Sequence, residues 1–355
     1  MILNTSIISK ASVTKDYNIG VNQYYNVGVK QYCDIDVKQN YNIEMKQDIL
    51  ILMLAYPEHI VGVEKKNDDE VYLVMKSGKK IIYDDKKQKS HEEKLANPDL
   101  QDMLEQNYPL EKNTEIMDKT FDPGRARHYE LLNEVYGNSK TAIEKNLIAL
   151  KYGYTNYQFN SKNKANTSLE AALKEVMSLA KTRGDIGSIL YPASGTYNYR
   201  VISGTGRLSP HSYGIAIDLK SDKKDYWKWS NETQGKQRLE EYPKELVEAF
   251  EKNNFVWGGK WGHFDILHFE YRPEIILKAK YFSNFNSSNS NTNSDSSSNS
   301  NNDSNSDSSS NSDGNININS NSNSRNSDNN SNWYEGAPID EEATKKYIEI
   351  IDNTL

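Results

Sequence analysis

The stretch Leu208-Ser-Pro-His211-Ser-Tyr-Gly214-Ile-Ala-Ile-Asp218-Leu219 predicts a loop that leads into a short strand with one apolar and one polar face. Gly214 can adopt backbone conformations that other residues avoid, so it can turn the loop into the strand. Alternate residues of a strand point to opposite faces, which separates Asp218 from the neighbouring isoleucines. A carboxylate there is costly to bury unless it is paired or binds a metal. His211 can fold back over the polar face, either as a metal ligand or as a histidine with an ordinary structural role.

A second stretch, from Trp257 to Tyr271, places acidic residues and histidines among aromatic ones. If its end is a strand, His268 and Glu270 share a face, and Glu270 can hold the second ring nitrogen of His268 as in many zinc sites. A turn before His268 would let Asp265 reach a water at the metal without binding the metal itself. The alternative is an aromatic core strand with a solvated Asp and His at one end. Three of the six histidines fall within residues 211–268, which favours the metal site.

Taken together, the two stretches resemble the zinc D-alanyl-D-alanine carboxypeptidases and L-alanyl-D-glutamate endopeptidases, which include vancomycin-resistance carboxypeptidases and some phage endolysins. The family pattern is Ser-x-His-x-x-Gly-x-Ala-x-Asp, followed by an acidic residue three positions before a second His. The matching residues are Ser209, His211, Gly214, Ala216, Asp218, Asp265 and His268. Many members carry Glu where this chain has Asp265. The motifs Phe121–Arg125, Ser194–Arg200 and Trp257–Trp261 extend the resemblance over about residues 50–282.

The resemblance implies roles for these residues. His211, Asp218 and His268 would bind Zn²⁺ with a coordination position left open, as in catalytic zinc sites, and Asp265 would be the general base. Ser209 and Glu270 would support the ligands. Arg200 is the candidate that stabilises the oxyanion, and Arg207 is the second choice; a surface salt bridge is the alternative for either arginine.

Other side chains near these motifs are candidate substrate contacts. Tyr213 and His263 could line the cleft, although a plain surface position is the favoured interpretation for His263. Trp227 and Trp229 could form a substrate wall or cover the core.

The implied substrate is a peptidoglycan stem peptide with a D-residue at or beside the cut, and the favoured activity is D-Ala-D-Ala carboxypeptidase. An L-Ala–D-Glu endopeptidase that lyses the cell wall is the first alternative. A non-catalytic zinc-dependent module that binds the wall is the second, and the acidic residue at position 265 argues against it. The substrate places the protein in the cell envelope or outside the cell, although residues 1–13 lack the basic start and apolar core of a signal peptide.

Composition limits the other functions. Of the 355 residues, only 36% are apolar, so part of the chain cannot form a core. The net charge of -7 and the lack of a Lys/Arg block argue against nucleic acid as a partner. Cys33 is the only cysteine, so any metal must be held by His and carboxylate. No apolar run reaches the roughly 18 residues of a membrane span.

Composition also divides the chain into five predicted regions. Residues 1–48 form an arm in which residues 16–47 carry an eight-residue repeat with a period of two. This pattern suits either extended strands or a weakly ordered arm. Residues 49–120 form a small N-terminal region, and residues 121–282 the zinc peptidase domain. Residues 283–332, rich in Asn and Ser, are predicted to be a disordered linker. Residues 333–355 hold a short helix that could dock an unknown partner or simply fray.

Helical and strand-like stretches occur in separate runs, which predicts an α+β fold. The resemblance implies a small antiparallel sheet flanked by helices, of the hedgehog/DD-peptidase-like type. The predicted elements are a hairpin over Glu70–Tyr83, helices at Asp99–Glu105, Tyr129–Tyr136 and Ser139–Leu150, a helix capped by Thr167–Glu170 and ended by Gly184, a helix after Pro243, and strands at Tyr197–Ile202, Gly214–Leu219 and Phe264–Tyr271.

Overall fold

The computed structural model describes residues 38–67, 70–152, 155–282 and 332–355. The helices are residues 38–55 (α1), His91–Ala96 (α2), Leu100–Leu104 (α3), Tyr129–Tyr136 (α4), Lys140–Glu144 (α5), Ala165–Ala180 (α6), Gly184–Leu190 (α7), Pro210–Tyr213 (α8), Glu232–Glu241 (α9), Lys244–Lys252 (α10), Pro273–Phe282 (α11) and Glu342–Thr354 (α12). The strands are Ile60–Asn67 (β1), Glu70–Met75 (β2), Lys80–Ile82 (β3), Leu147–Tyr152 (β4), Thr155–Asn160 (β5), Ala216–Asp218 (β6), Phe255–Trp257 (β7) and His268–Tyr271 (β8). Helices and small antiparallel sheets in separate runs confirm the α+β class.

The sheet that matters for function has the strand order β6-β8-β7, and both pairings are antiparallel. Its apolar face packs on α10, where Phe269 stacks on Phe250 with ring centroids 4.2 Å apart. The Phe269 ring also lies beside Trp257 of β7. Because alternate residues point to opposite faces, the packing of Phe269 on α10 places His268 and Glu270 on the other side of β8. The sheet therefore presents one polar face.

The N-terminal part of the fold is a second sheet, β1-β2-β3, packed with α1 into a core that continues to the first sheet. The predicted hairpin at Glu70–Tyr83 is confirmed by the pairing of β2 with β3. Two alternatives were open for the repeat, extended strands and a weakly ordered arm, and neither describes its last unit, residues 40–47, which lies in α1. The apolar residues that follow, 49–53, are fully buried in the same helix, and their burial stabilises a helix rather than an alternating strand. The rest of the repeat lies outside the described residues.

Four further predictions in the middle of the chain need correction. The helix predicted for Ser139–Leu150 ends at Glu144, because β4 pairs with β5 in an antiparallel hairpin. The capping box at Thr167 is not used, since α6 already begins at Ala165 after Lys164. Gly184 does not end that helix but begins α7. The strand predicted for Tyr197–Ile202 is reduced to a single bridge between Val201 and Leu208.

The C-terminal helix α12 packs against the chain itself. Ile351 is fully buried in the core, and Asp352 accepts hydrogen bonds from Lys46 and from the Trp333 indole. Tyr347 and Ile348 of the same helix pack against this core. The apolar side chains of the helix that was predicted to dock a partner or to fray are therefore in contact with this chain.

The predicted division into regions stays a prediction, although α1 runs across the proposed boundary at residue 48. Nearly all of the predicted linker, residues 283–331, lies outside the described residues. Among the described residues, no helix combines the length and apolar character needed to cross a membrane.

Gly214→Ala is expected to lower the free energy of unfolding by about 2–4 kcal/mol. Gly214 ends α8 with φ +67°, and a Cβ there would lie 2.6 Å from Leu147 Cδ2 and 3.2 Å from the Asn160 backbone nitrogen. Urea unfolding followed by tryptophan fluorescence measures the change. The matched control is Gly62→Ala, whose added Cβ meets no atom within 4 Å, and it should stay within about 0.5 kcal/mol of the wild type. Equal losses in both variants would contradict this account of Gly214.

Candidate active site

Three side chains that are far apart in the sequence meet on the polar face of the β6-β8-β7 sheet. Asp218 Oδ1 lies 2.9 Å from His268 Nδ1 and 3.2 Å from His211 Nε2. The two ring nitrogens are 3.3 Å from one another. One ligand atom from each residue thus lies within 4.8 Å of the others, close enough for a single metal ion. The three residues predicted as ligands are brought together.

Local structure explains why they meet. Asp218 on β6 and His268 on β8 are direct partners in the antiparallel register, so their side chains share a face. His211 lies in the single turn α8, which is capped by Ser209 at its N-terminus and by Gly214, in a left-handed conformation, at its C-terminus. The Ser209 hydroxyl accepts from the His211 backbone N–H at 3.4 Å, so Ser209 supports His211 through the backbone of α8.

The outer nitrogen of each histidine faces a hydrogen-bond acceptor. His211 Nδ1 is 2.6 Å from the carbonyl oxygen of Thr196, and His268 Nε2 is 3.5 Å from Glu270 Oε2. Neutral rings that donate outward carry their lone pairs on the inner nitrogens. If both rings are neutral in this way, two lone pairs and the Asp218 carboxylate converge with no proton between them, an arrangement that a cation stabilises. The donor set of two imidazoles and one carboxylate fits zinc.

Glu270 is itself held by arginines. The Arg127 guanidinium donates to both carboxylate oxygens, with Nε 2.8 Å from Oε1, and Arg272 Nη1 lies 3.6 Å away. Burial by itself would raise the pKa of Glu270, but the Arg127 charge and its hydrogen bonds hold that pKa well below the usual range. Glu270 is therefore a fixed anion, and it lies on the same strand face as His268.

The charges of the cluster are strongly coupled. Burial would raise the pKa of Asp218, but the two histidines hold it well below the ordinary value. Burial would lower the pKa of His268, whereas hydrogen bonds to Asp218 and Glu270 raise it to about 10. Without a metal, the two carboxylates therefore favour the protonated form of His268. A bound cation would take the place of that proton.

Asp265 lies in the turn that leads into β8, where its carbonyl accepts from the His268 N–H at 3.1 Å. Its backbone N–H donates to the Gly258 carbonyl at 3.0 Å, and it forms a bridge with Tyr226. Burial raises the pKa of the Asp265 carboxyl to about 6; the histidines lower it, and Asp218 raises it further. A carboxyl with such a pKa can exchange protons near neutral pH.

The predicted arginines and Tyr213 occupy different environments. Arg200 has an exposed side chain, and its backbone N–H donates to the Ser212 hydroxyl of α8 at 2.8 Å. Arg207 is half-buried on the loop bridged at Val201 and Leu208. Tyr213 is buried, and its hydroxyl donates to Asn133. The burial of Tyr213 argues against the predicted contact with substrate.

The other candidate substrate contacts lie on or beside the segment that carries Asp265. They are Trp227, Trp229 and His263. Trp227 donates its backbone N–H to the Phe264 carbonyl, and its ring meets His263 edge-on with centroids 4.6 Å apart. Trp229 is 73% exposed and packs against Tyr226. His263 is not a plain surface residue, because Nδ1 lies 2.8 Å from Asp122 Oδ2.

Two supporting groups were not found from the sequence. Arg127 lies two residues after Arg125, the last residue of the Phe121–Arg125 motif. This spacing is only a weak sequence signal that Arg127 supports the site. The Thr196 carbonyl has no sequence signal at all, since every residue carries one. It reaches His211 because Gly195 forms a bridge with Asp218.

Comparison with known families agrees with this site. Residues 203–271 match the family model described as D-alanyl-D-alanine carboxypeptidase. The matched segment contains His211, Asp218, Asp265, His268 and Glu270. The match supports the predicted family in its broad form and a peptidase that acts on peptidoglycan-type substrates. Neither a search of curated proteins nor a search of solved structures returned a match.

Proposed function

We propose that the chain is a zinc metallopeptidase that hydrolyses bonds next to D-residues in peptidoglycan stem peptides, with D-Ala-D-Ala carboxypeptidase as its main activity. The observation that carries the proposal is the convergence of His211 Nε2, His268 Nδ1 and Asp218 Oδ1 within a segment that matches the carboxypeptidase family model. Such an enzyme would act in the cell envelope or outside the cell, where its substrate is.

The residues of the site have separate proposed roles. His211, Asp218 and His268 would hold zinc, and zinc in such a site supplies Lewis acidity that polarises the scissile carbonyl and acidifies water. Thr196 and Glu270 fix the two rings, so that their inner nitrogens point at the same place. Buried groups held in this way need little rearrangement when the metal binds.

Asp265 is proposed as the general base. Its carboxylate takes the proton from the attacking water and then gives it to the leaving amine. A raised pKa suits both halves of this cycle, because the group must release the proton as readily as it accepts it. Arg200 stays the first candidate for stabilising the oxyanion, because the resemblance places an arginine just before the first ligand motif. Arg207, which is closer to that motif in sequence, is the second.

Digestion of defined stem peptides, followed by mass spectrometry, tests the activity. A pentapeptide that ends in D-Ala-D-Ala is expected to lose its terminal D-Ala, and a zinc chelator should abolish this loss. Release of L-Ala from the D-Glu-containing remainder would instead indicate the endopeptidase. Zinc-dependent binding with no cleavage would indicate a wall-binding module. Either of these last two results would contradict the proposed carboxypeptidase.

A further inference from the structure

A second cluster of histidines and carboxylate lies outside the proposed catalytic centre. His91 Nε2 is 2.9 Å from Asp122 Oδ2, and His263 Nδ1 is 2.8 Å from the same oxygen. The two imidazole rings are stacked nearly parallel, with centroids 6.3 Å apart. One ligand atom of each of the three residues lies within 4.8 Å of the others. The geometry repeats that of the first cluster, in which two imidazole nitrogens also meet one carboxylate oxygen.

The burial of the three side chains suits a cation that enters from solvent. The Asp122 carboxylate is completely buried, whereas His91 and His263 keep 14% and 21% of their side-chain surface exposed. Asp122 Oδ1 accepts the His263 backbone N–H at 3.0 Å, which fixes the carboxylate and leaves Oδ2 facing the two rings. A fixed carboxylate with one oxygen held by a backbone donor is typical of metal sites.

One positive charge competes for this position. Arg125 Nη1 lies 3.0 Å from Asp122 Oδ2, and the Arg125 side chain is 25% exposed. Without a metal, Arg125 and the two imidazoles together satisfy the buried carboxylate. A cation bound to Oδ2 and to the two ring nitrogens would have to displace the Arg125 guanidinium, so Arg125 would lower the affinity of the cluster for a cation.

We propose that His91, Asp122 and His263 form a second site for a divalent transition-metal cation such as Zn²⁺. Two imidazole nitrogens and one carboxylate oxygen suit zinc, cobalt or nickel, whereas calcium and magnesium prefer oxygen ligands only. The three ligands come from α2, from the Phe121–Arg125 motif and from the segment that leads to Asp265. The site needs no assumption about the reaction at His211, Asp218 and His268.

A cation here would tie together the parts of the chain that carry the proposed base. The Phe121–Arg125 motif already holds that segment, because the Gly262 N–H donates to the Phe121 carbonyl at 2.7 Å. The Trp261 indole donates to the Pro123 carbonyl at 2.8 Å. His263 lies two residues before Asp265. The second metal is therefore a positioning element, and its loss should loosen the segment without removing a catalytic group.

Zinc content of the untagged full-length chain tests the proposal. After equilibrium dialysis against zinc, elemental analysis is expected to give two zinc ions per wild-type chain. His91→Ala and His268→Ala should each retain one, and the double variant none. His59→Ala is the matched control and should retain two, because His59 belongs to neither cluster. A His91→Ala chain that holds as much zinc as the wild type overturns the second site, whatever His268→Ala shows.

A cobalt titration separates lost binding from lost folding. The His268→Ala chain should still develop the visible absorption of Co²⁺ bound to nitrogen and oxygen ligands, and adding Asp122→Asn should remove it. Arg125→Gln should tighten metal binding at this site on the order of tenfold, a change of about 1.4 kcal/mol. Absence of the cobalt absorption in His268→Ala, or weaker binding in Arg125→Gln, would contradict the proposed site and the role of Arg125, respectively.

Discussion

Asp265→Ala is expected to reduce turnover of the stem peptide by about 10²–10⁴-fold, the range over which a general base accelerates a reaction, while zinc content stays at the wild-type value. Asp265 is not one of the three converging ligand atoms, so its removal leaves His211, Asp218 and His268 in place. Steady-state kinetics and elemental analysis on the same preparation give both numbers. The loss should fall on kcat rather than on zinc affinity.

The matched control for this variant is Asp265→Glu. The family resemblance places Glu at this position in many members, so the longer side chain should retain turnover within about tenfold of the wild type. Together the two variants separate the carboxylate from the space that it fills. An Asp265→Ala enzyme that turns over at the wild-type rate would show that the base lies elsewhere.

The pH dependence of wild-type activity should follow the titration of the Asp265 carboxyl. Burial raises its pKa to about 6, and a base must be deprotonated to act. A cation bound beside it favours the charged form and lowers the pKa. The acid limb of kcat/KM should therefore have its midpoint at or below about pH 6, and activity should fall as the pH drops through it. Residual activity of Asp265→Ala should lack that limb.

Asp218→Ala is expected to remove both zinc from the catalytic centre and measurable turnover. Asp218 is the only carboxylate among the three converging groups, and its loss leaves a divalent charge facing two neutral rings. Zinc content should fall by one ion per chain, and stem-peptide cleavage should fall to the level of the chelated wild type. The effect should exceed that of Asp265→Ala, because the metal chemistry is lost together with the ligand.

Thermal unfolding provides a readout that does not depend on activity. Zinc at about one hundred times its dissociation constant should stabilise the wild type by about 2.7 kcal/mol per site. Asp218→Ala should lose the share that belongs to the catalytic centre. Asp222→Ala, an exposed carboxylate four residues further along the chain, is the matched control and should behave as the wild type. Zinc-dependent cleavage by Asp218→Ala would exclude Asp218 as a ligand.

The ion pair between Arg127 and Glu270 lies behind His268, so even conservative substitutions in this pair should disturb the metal ligands. Glu270 is a buried anion held by Arg127, and the two residues are 143 positions apart in the sequence. Removing one partner of a buried ion pair leaves an uncompensated charge, which is more costly than the loss of an exposed pair. The orientation of His268 thus depends on a segment that contributes no metal ligand.

Much of the candidate site could be read from residue types and spacing. His211, Asp218, Asp265, His268 and their order follow from two short motifs, and the alternation along β8 correctly puts Glu270 beside His268. The same period-two pattern favoured strands as one of two alternatives for the repeat, and residues 40–47 do not form one. An alternating apolar pattern forms a strand only when another strand is available to pair with it. Residues 40–47 instead form the first part of α1, ahead of its buried apolar residues.

The sequence by itself determined which side chains can bind a metal, because the ligand chemistry of imidazole and carboxylate belongs to the residues themselves. It also determined the α+β class, since the periods of apolar residues are local properties. Only the tertiary structure decided that Asp218 on β6 lies directly opposite His268 on β8 and that the Thr196 carbonyl orients His211. It alone also decided that His91, Asp122 and His263 form a second cluster. These contacts join residues 15 to 172 positions apart, and side-chain chemistry carries no information about which distant partner packing will bring near.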